Sequence, residues 1–335
     1  MSDHALRELC FSDPTFNERY EGWTVLGRGT YATVVRVRSR DAGRDIALKV
    51  FEGLSPEMAA RVREEVHAAQ SLATPYFVQV YSVFDRGRIT WFEMELVEGL
   101  NLDQDLQRLI GQRRQASLRR TCEVALAVSR CVWHAHRRGI LHRDVKPANV
   151  LLPRSRVPAA KLTDFGIARV GNGAGSTPSG SITGTPRFAS PEALAGGPVG
   201  PPHDVFGLCT TLYALFSGGR VPFPVSADAG VEALREAQLR RKPVPLLRLA
   251  PDLDPELARL IVRGLSPEPD VRPDVSAIVL ALERVQRTWN GAGQVNGRRT
   301  TWRVAAVGFG LALFGVWEGV RRHRRRNGRK HKMLD

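Results

Sequence analysis

The rhythm of hydrophobic and polar positions changes about a third of the way along the chain. Val34, Val35 and Val37 form one β-rich run and Ile46 to Phe51 another, with Asp41-Ala42-Gly43 as the turn between them. This predicts three strands over 23–51. Ser55-Pro56-Glu57 reads as the N-cap and first turn of a helix over 56–72. Residues 77–98 alternate as two more strands, split at Asp85-Arg86-Gly87. From about 102 the period turns helical, with a long stretch from Ser117 to Arg138 and further patterns at 204–217, 229–241, 254–264 and 274–288. Strands first and helices later predict a small β-rich lobe followed by a larger α-rich one. Residues 1–20 read as a short polar leader, 171–181 as a Gly/Ser loop and 289–301 as a linker. No internal repeat is visible.

Composition changes this picture little; charge and cysteine placement sharpen it. The 335 residues exceed one small core, and 43% hydrophobic with 25% charged is ordinary globular composition. Cys10, Cys122, Cys131 and Cys209 are scattered without a Cys-x-x-Cys pair, which excludes a disulfide scaffold or zinc ribbon and suits a reducing compartment. No basic-then-apolar signal peptide opens the chain. The net charge is +15, but eleven basic and only two acidic residues follow Gly297. The high charge therefore belongs largely to a tail. A nucleic-acid-binding enzyme more often carries a basic face across its folded domain, so no specific nucleic acid is expected.

Chemistry is carried by a few ordered motifs. Gly27-Arg28-Gly29-Thr30-Tyr31-Ala32-Thr33-Val34 is glycine-rich, and such a turn lets backbone N–H groups close over phosphates. It leads into a second strand and not a helix, so a dinucleotide fold fails on context; a plain β-hairpin is the alternative. Lys49 follows on a half-buried strand among apolar neighbours and needs an anionic partner, unless it is an edge lysine facing water. In the next helix Val62, Val66, Ala69 and Leu72 mark the inner face. Glu65 lies on that face and Glu64 is turned away from it, so Glu65 is the expected partner of Lys49.

His142-Arg143-Asp144-Val145-Lys146-Pro147-Ala148-Asn149 comes next, then Asp164-Phe165-Gly166. With the glycine-rich loop, the strand lysine and the helix glutamate in this order, the sequence resembles a protein kinase, and in its compact layout the bacterial eukaryotic-like Ser/Thr kinases. The likeness runs from about Gly22 to Val285. It implies an α+β, two-lobed protein-kinase-like fold, with a small β-rich N-lobe at 21–97 and a large α-helical C-lobe at 98–288.

The resemblance also implies roles. Asp144 would accept or orient the proton of the substrate hydroxyl, and Lys146 would stabilise the transferring phosphoryl group. Asn149 and Asp164 would hold Mg²⁺, or Mn²⁺ in its place. Lys49, fixed by Glu65, would bind the α- and β-phosphates of ATP, under a loop formed by Leu26, Gly27, Arg28, Gly29, Thr30, Tyr31, Ala32, Thr33 and Val34. Met94 sits at the gatekeeper position, and Glu95 to Val97 would form the hinge that meets adenine. Lys146 two residues after Asp144, and Gly184-Thr185-Pro186 before Ser190-Pro191-Glu192, resemble the Ser/Thr branch; Thr185 would bond Asp144 and Lys146. Glu192 would pair with Arg272. Arg143 resembles the arginine of kinases switched by loop phosphorylation, with Ser176, Thr177, Ser179, Ser181 and Thr183 as candidate acceptors. Ala32 replaces the third glycine, and Gly207 and Cys209 replace the usual Ser and Gly of the helix carrying Asp204. No residue of the catalytic set is missing.

Val304 to Trp317 is apolar or glycine throughout and surplus to such a fold. Residues 302–320 would make a helix of about 28 Å, near the thickness of a bilayer core, with Trp302 and Trp317 at its ends. The expectation is a C-terminal hydrophobic helix crossing the cytoplasmic membrane once. The kinase domain would lie in the cytoplasm and 321–335 would form a basic tail. Eight basic residues would then have to cross. The alternative is a helix buried on the large lobe, with the chain peripheral and its basic tail on anionic lipid or nucleic acid.

Three functions compete. The first is an ATP- and Mg²⁺-dependent kinase acting on protein Ser/Thr hydroxyls, with protein substrates and the membrane as partners. The second is a pseudokinase scaffold, against which the complete catalytic set argues. The third is a small-molecule kinase, which would lack the segment seen at 184–192.

Overall fold

A computed structural model describes residues 2–29, 32–72, 74–164, 186–226 and 229–292. The chain opens with α1 (Asp3–Ser12) and α2 (Pro14–Arg19), capped by the side chains of Ser2 and Asp13. Strands β1 (Tyr20–Arg28), β2 (Ala32–Ser39) and β3 (Arg44–Glu52) follow, then α3 (Pro56–Gln70), β4 (Val80–Asp85) and β5 (Ile89–Met94). The strands form one antiparallel sheet in the order β1-β2-β3-β5-β4.

The first 20 residues are not the polar leader expected from the sequence. Leu6, Cys10 and Phe16 are buried in a cluster with Tyr20, Val35, Val37, Ile46, Leu48, Val50, Ile89 and Trp91. The two helices thus cover the outer face of the sheet. In β3 the alternation sends Ile46, Leu48 and Val50 to this cluster, while Ala47 and Phe51 join the main core on the other side. Lys49 shares the face of Ala47 and Phe51, which turns its side chain toward α3 and the cleft. The covered outer face also lets Trp91 Nε1 donate to Tyr20 Oη (3.1 Å) and Tyr20 Oη donate to Glu93 Oε1 (2.6 Å).

Beyond β5 come β6 (Gly99–Asn101), α4 (Leu102–Gly111) and α5 (Leu118–His136), then β7 (Val150–Pro153) and β8 (Lys161–Leu162), which complete a small sheet in the order β6-β7-β8. The helical lobe continues with α6 (Pro191–Leu194), α7 (Pro201–Phe216), α8 (Val231–Arg240), α9 (Leu246–Leu249), α10 (Pro255–Arg263) and α11 (Val275–Ala292). Helix α7 is buried from His203 to Phe216, as expected of a helix that is apolar all round. Two close approaches explain its departures from the kinase pattern. A Cβ on Gly207 would sit 2.9 Å from the Val145 carbonyl oxygen, so α7 presses directly on the loop 142–149. A Cβ on Gly264 would sit 2.2 Å from Cys209 Sγ, so Gly264 makes the room that Cys209 needs.

The first residues of the expected linker, 289–292, continue α11; the rest of the linker, the apolar segment 302–320 and the basic tail lie outside the described residues, as do residues 165–185 with Thr185 and the candidate phosphoacceptors. Among the described residues no helix is long and apolar enough to cross a membrane.

Candidate active site

The β1–β2 hairpin carries the glycine-rich residues. Gly27 pairs with Val34 and Arg28 with Thr33, and Gly29 N–H donates to the Ala32 carbonyl at 2.8 Å. Thr30 and Tyr31 at its tip lie outside the described residues. Leu26 is half exposed, while Ala32 and Val34 pack against the main core. Arg28 is ion-paired with Asp3 of α1, which ties the covering helices to this hairpin.

Met94 ends β5 and is buried; with Val80, Phe92, Thr163 and Asp164 it lines a small cavity behind the cleft. Glu95 N–H donates to the Gln79 carbonyl at 2.8 Å, and the Glu95 carboxylate accepts from Lys161 Nζ at 2.7 Å. The Glu95 carboxylate also accepts from Gln79 N–H at 3.3 Å, and Val97 packs partly buried on the core.

The loop 142–149 is held from below by α7. Asp204 Oδ2 accepts from His142 N–H (2.8 Å) and Oδ1 from Arg143 N–H (2.6 Å). Burial works to raise the Asp204 carboxyl, but His136 at 2.9 Å and these N–H donors hold it below the usual carboxylate range. His142 is buried and its pKa is lowered by that burial, so the ring stays neutral. It donates from Nε2 to the Thr163 carbonyl (3.1 Å) and accepts from Asp144 N–H at Nδ1 (3.3 Å). One imidazole thus links the loop to the strand end that carries Asp164.

Three functional side chains converge on this loop. Asn149 Nδ2 donates to the Asp144 carbonyl (2.8 Å) and to its Oδ2 (2.9 Å), and Lys146 Nζ lies 2.7 Å from the same Oδ2. The β7–β8 pairing places Thr163 N–H on the Asn149 carbonyl at 2.9 Å, so Asn149 and Asp164 sit side by side at the open end of one hairpin. With its amide N–H groups spent on Asp144, Asn149 has its Oδ1 left. That oxygen and the Asp164 carboxylate are hard donors of the kind Mg²⁺ takes.

Lys49 departs from expectation. Its Nζ lies 2.7 Å from Asp164 Oδ1, and among the described residues it makes no ion pair with Glu65. Burial works to raise the Asp164 carboxyl, but Lys49 holds it below the usual range. Glu65 lies on the half-buried side of α3 as expected, yet its nearest cation is Arg143 Nη1 at 4.0 Å. Its Oε2 is buried with no hydrogen-bond partner among the described residues, and burial pushes its pKa up to about 7. The helix periodicity placed Glu65 on the right face; the distance along the cleft was not legible in it.

The Glu192–Arg272 pair forms as expected, with Nη1–Oε1 at 2.6 Å and Nη2–Oε2 at 2.8 Å. The Arg272 side chain is 1% exposed and also donates to the carbonyls of Ser266, Pro202 and Pro267. The sequence did not single out His136 and His203, nor the hydrogen bond that Ser190 makes. Histidines among apolar helix positions carry no signal that separates packing from hydrogen bonding to a loop.

Residues 20–282 match the protein kinase domain. The chain belongs to the protein kinase family. It is 33% identical over 263 residues to a probable serine/threonine-protein kinase of Streptomyces coelicolor, covering 76% of this chain and 38% of that protein. It is 32% identical over 270 residues to the serine/threonine-protein kinase PknB of Mycolicibacterium smegmatis, covering 78% of this chain and 42% of the relative. The chain therefore spans about two fifths of the length of these relatives. Among solved structures it resembles a single-residue mutant of the Mycobacterium tuberculosis PknI kinase domain, with a TM-score of 0.56 and 28% identity, covering 79% of this chain and 96% of that one.

Proposed function

We propose that this chain is an ATP- and Mg²⁺-dependent protein serine/threonine kinase. The observation that carries the reading is the Asp144 carboxylate, whose Oδ2 takes both Lys146 Nζ and Asn149 Nδ2 while Oδ1 is left for a substrate hydroxyl. Asp144 orients that hydroxyl and receives its proton, and Lys146 sets a positive charge beside the transferring group. Phosphoryl transfer asks little covalent chemistry of a protein, so such positioning and charge placement constitute the catalysis. Asn149 Oδ1 and Asp164 would hold Mg²⁺, which when bound neutralises charge on the phosphate oxygens. Leu26, Val34 and Met94 offer adenine an apolar slot, with hinge hydrogen bonds from the Glu95 carbonyl and Val97. The names of the bacterial relatives and the Lys146 spacing support Ser/Thr acceptors. Phosphoamino acid analysis of labelled protein tests this: phosphoserine or phosphothreonine is expected, and phosphotyrosine alone would contradict it.

Two finer parts of the proposal rest on the sequence. Residues 302–320 attach the chain to the cytoplasmic membrane with the kinase domain on the ATP side. Flotation with lipid vesicles should carry residues 1–335 and leave residues 1–297 behind. Autophosphorylation within 176–183 supplies a phosphate that Arg143, whose side chain is nearly half exposed, would bind. Phosphopeptide mapping of the wild type against Asp144→Asn tests this point.

A further inference from the structure

Arg143 is a non-glycine residue with φ at 64°, in the left-handed region that side chains disfavour. Something must hold it there. Its N–H is held by Asp204. Its carbonyl is held by the residue just before Asp204 in the same helix: His203 Nε2 lies 3.1 Å from Arg143 O. Because the peptide unit is planar, fixing that carbonyl fixes the plane that leads into Asp144. The other ring nitrogen, His203 Nδ1, lies 2.8 Å from Ser190 Oγ. Ser190 and His203 are both buried, and Ser190 closes the segment that runs into α6.

The donors and acceptors set the tautomer. A carbonyl can only accept, so Nε2 carries the proton. In the neutral ring Nδ1 then accepts from the Ser190 hydroxyl. The Ser190 hydroxyl has one proton and a second acceptor within reach, the Glu192 carboxylate, whose two oxygens also take Arg272. A single imidazole therefore bridges the end of the 186–190 segment to the residue that precedes Asp144.

We propose that His203 is a positioning residue that couples the 186–190 segment, on which a protein substrate would lie, to the orientation of Asp144. This rests on the kinase reading above. The Nε2 bond serves the chemical step, and the Nδ1 bond serves the placement of the substrate segment.

Two amide substitutions separate the halves. Gln reaches the Nε2 position and Asn the Nδ1 position. In the full chain, His203→Asn keeps the contact to Ser190 and loses the Arg143 carbonyl. It should lower kcat about tenfold, with KM for a generic protein substrate within about twofold of wild type. His203→Gln and Ser190→Ala keep or spare the Arg143 bond. They should raise that KM several-fold and leave kcat within about twofold. Backbone amide exchange gives a second readout that needs no activity. His203→Asn should open residues 142–146 alone, and the other two variants residues 186–192 alone. Parallel effects of all three variants on kcat, KM and exchange would mark a merely structural histidine and overturn the proposal, as would wild-type behaviour in all three. If the wild type transferred no phosphate the kinase reading would fall, and the exchange pattern would still decide the coupling.

Discussion

Lys49 Nζ sits 2.7 Å from Asp164 Oδ1, on the carboxylate that a metal ion would need, while Glu65 stands apart with Arg143 as its nearest cation. On the proposed function, Mg²⁺ and ATP would draw Lys49 from Asp164 to the phosphates, and Glu65 is the carboxylate on α3 that could receive it. In the present arrangement Glu65 has its pKa pushed up to about 7 by burial, so near neutral pH it is substantially protonated. Pairing with Lys49 ionises it.

Proton release on nucleotide binding follows. Affinity for Mg²⁺ and ATP should rise with pH toward about 7 and then flatten. Titration calorimetry at pH 6.5 in two buffers of different ionisation heat should show protons released by the wild type and fewer by Glu65→Gln. Equal release in both would place the proton elsewhere. The same group affects stability. Its folded value lies above the ordinary 4.5, so its contribution is full below that pH and is lost as pH rises through about 7. Glu65→Gln should therefore be more stable than wild type at pH 8, by on the order of 3 kcal/mol, with the gap closing by pH 4.5.

The Glu192–Arg272 pair should dominate the stability of the helical lobe. Arg272→Ala leaves a partly buried carboxylate and several carbonyls without their donor, a loss of about 3–5 kcal/mol. Thermal unfolding should shift down by on the order of 10 °C. A shift within about 2 °C would show that the pair is replaceable by water.

Removing residues 2–19 strips the cover from the outer face of the sheet. Val35, Val37, Ile46, Leu48, Val50 and Trp91 would lose Leu6, Cys10 and Phe16 as neighbours, and Arg28 would lose Asp3. A chain starting at Tyr20 should bind a hydrophobic dye and aggregate at concentrations where the full chain is monodisperse. Unchanged dye binding would mean that the sheet closes without the helices.

Much of the fold was legible because periods and caps report local physics. The expected helix over 56–72 appears at 56–70 with Ser55 as its cap, and the stretch from Ser117 to Arg138 appears at 118–136 with Ser117 as its cap. The N-terminal helices were missed because they are short, ten and six residues, although Leu6, Leu9 and Cys10 keep a helical spacing. The run Ile46 to Phe51, apolar on both faces except at Lys49, held the clue: a strand buried on both faces needs a cover on each. Asp144, Lys146, Asn149 and Asp164 were picked out only through the resemblance to protein kinases, and the loop 142–149 and the β7–β8 pairing bring them together. The partner of Lys49 was not legible, because periodicity gives the face of a helix and not its distance across a cleft. His203 was invisible for a related reason: its partners lie 13 and 60 residues away.

The most direct test of the central claim is transfer of the γ-phosphate of labelled ATP by purified residues 1–297 in the presence of Mg²⁺, wild type beside Asp144→Asn. The wild type should label itself or a generic protein substrate. The variant should keep its fold and nucleotide binding and lose at least 10²-fold in rate, roughly the scale of a positioned base. Equal transfer by both, or none from a folded wild type that binds ATP, would contradict the assignment of Asp144 and the kinase reading with it.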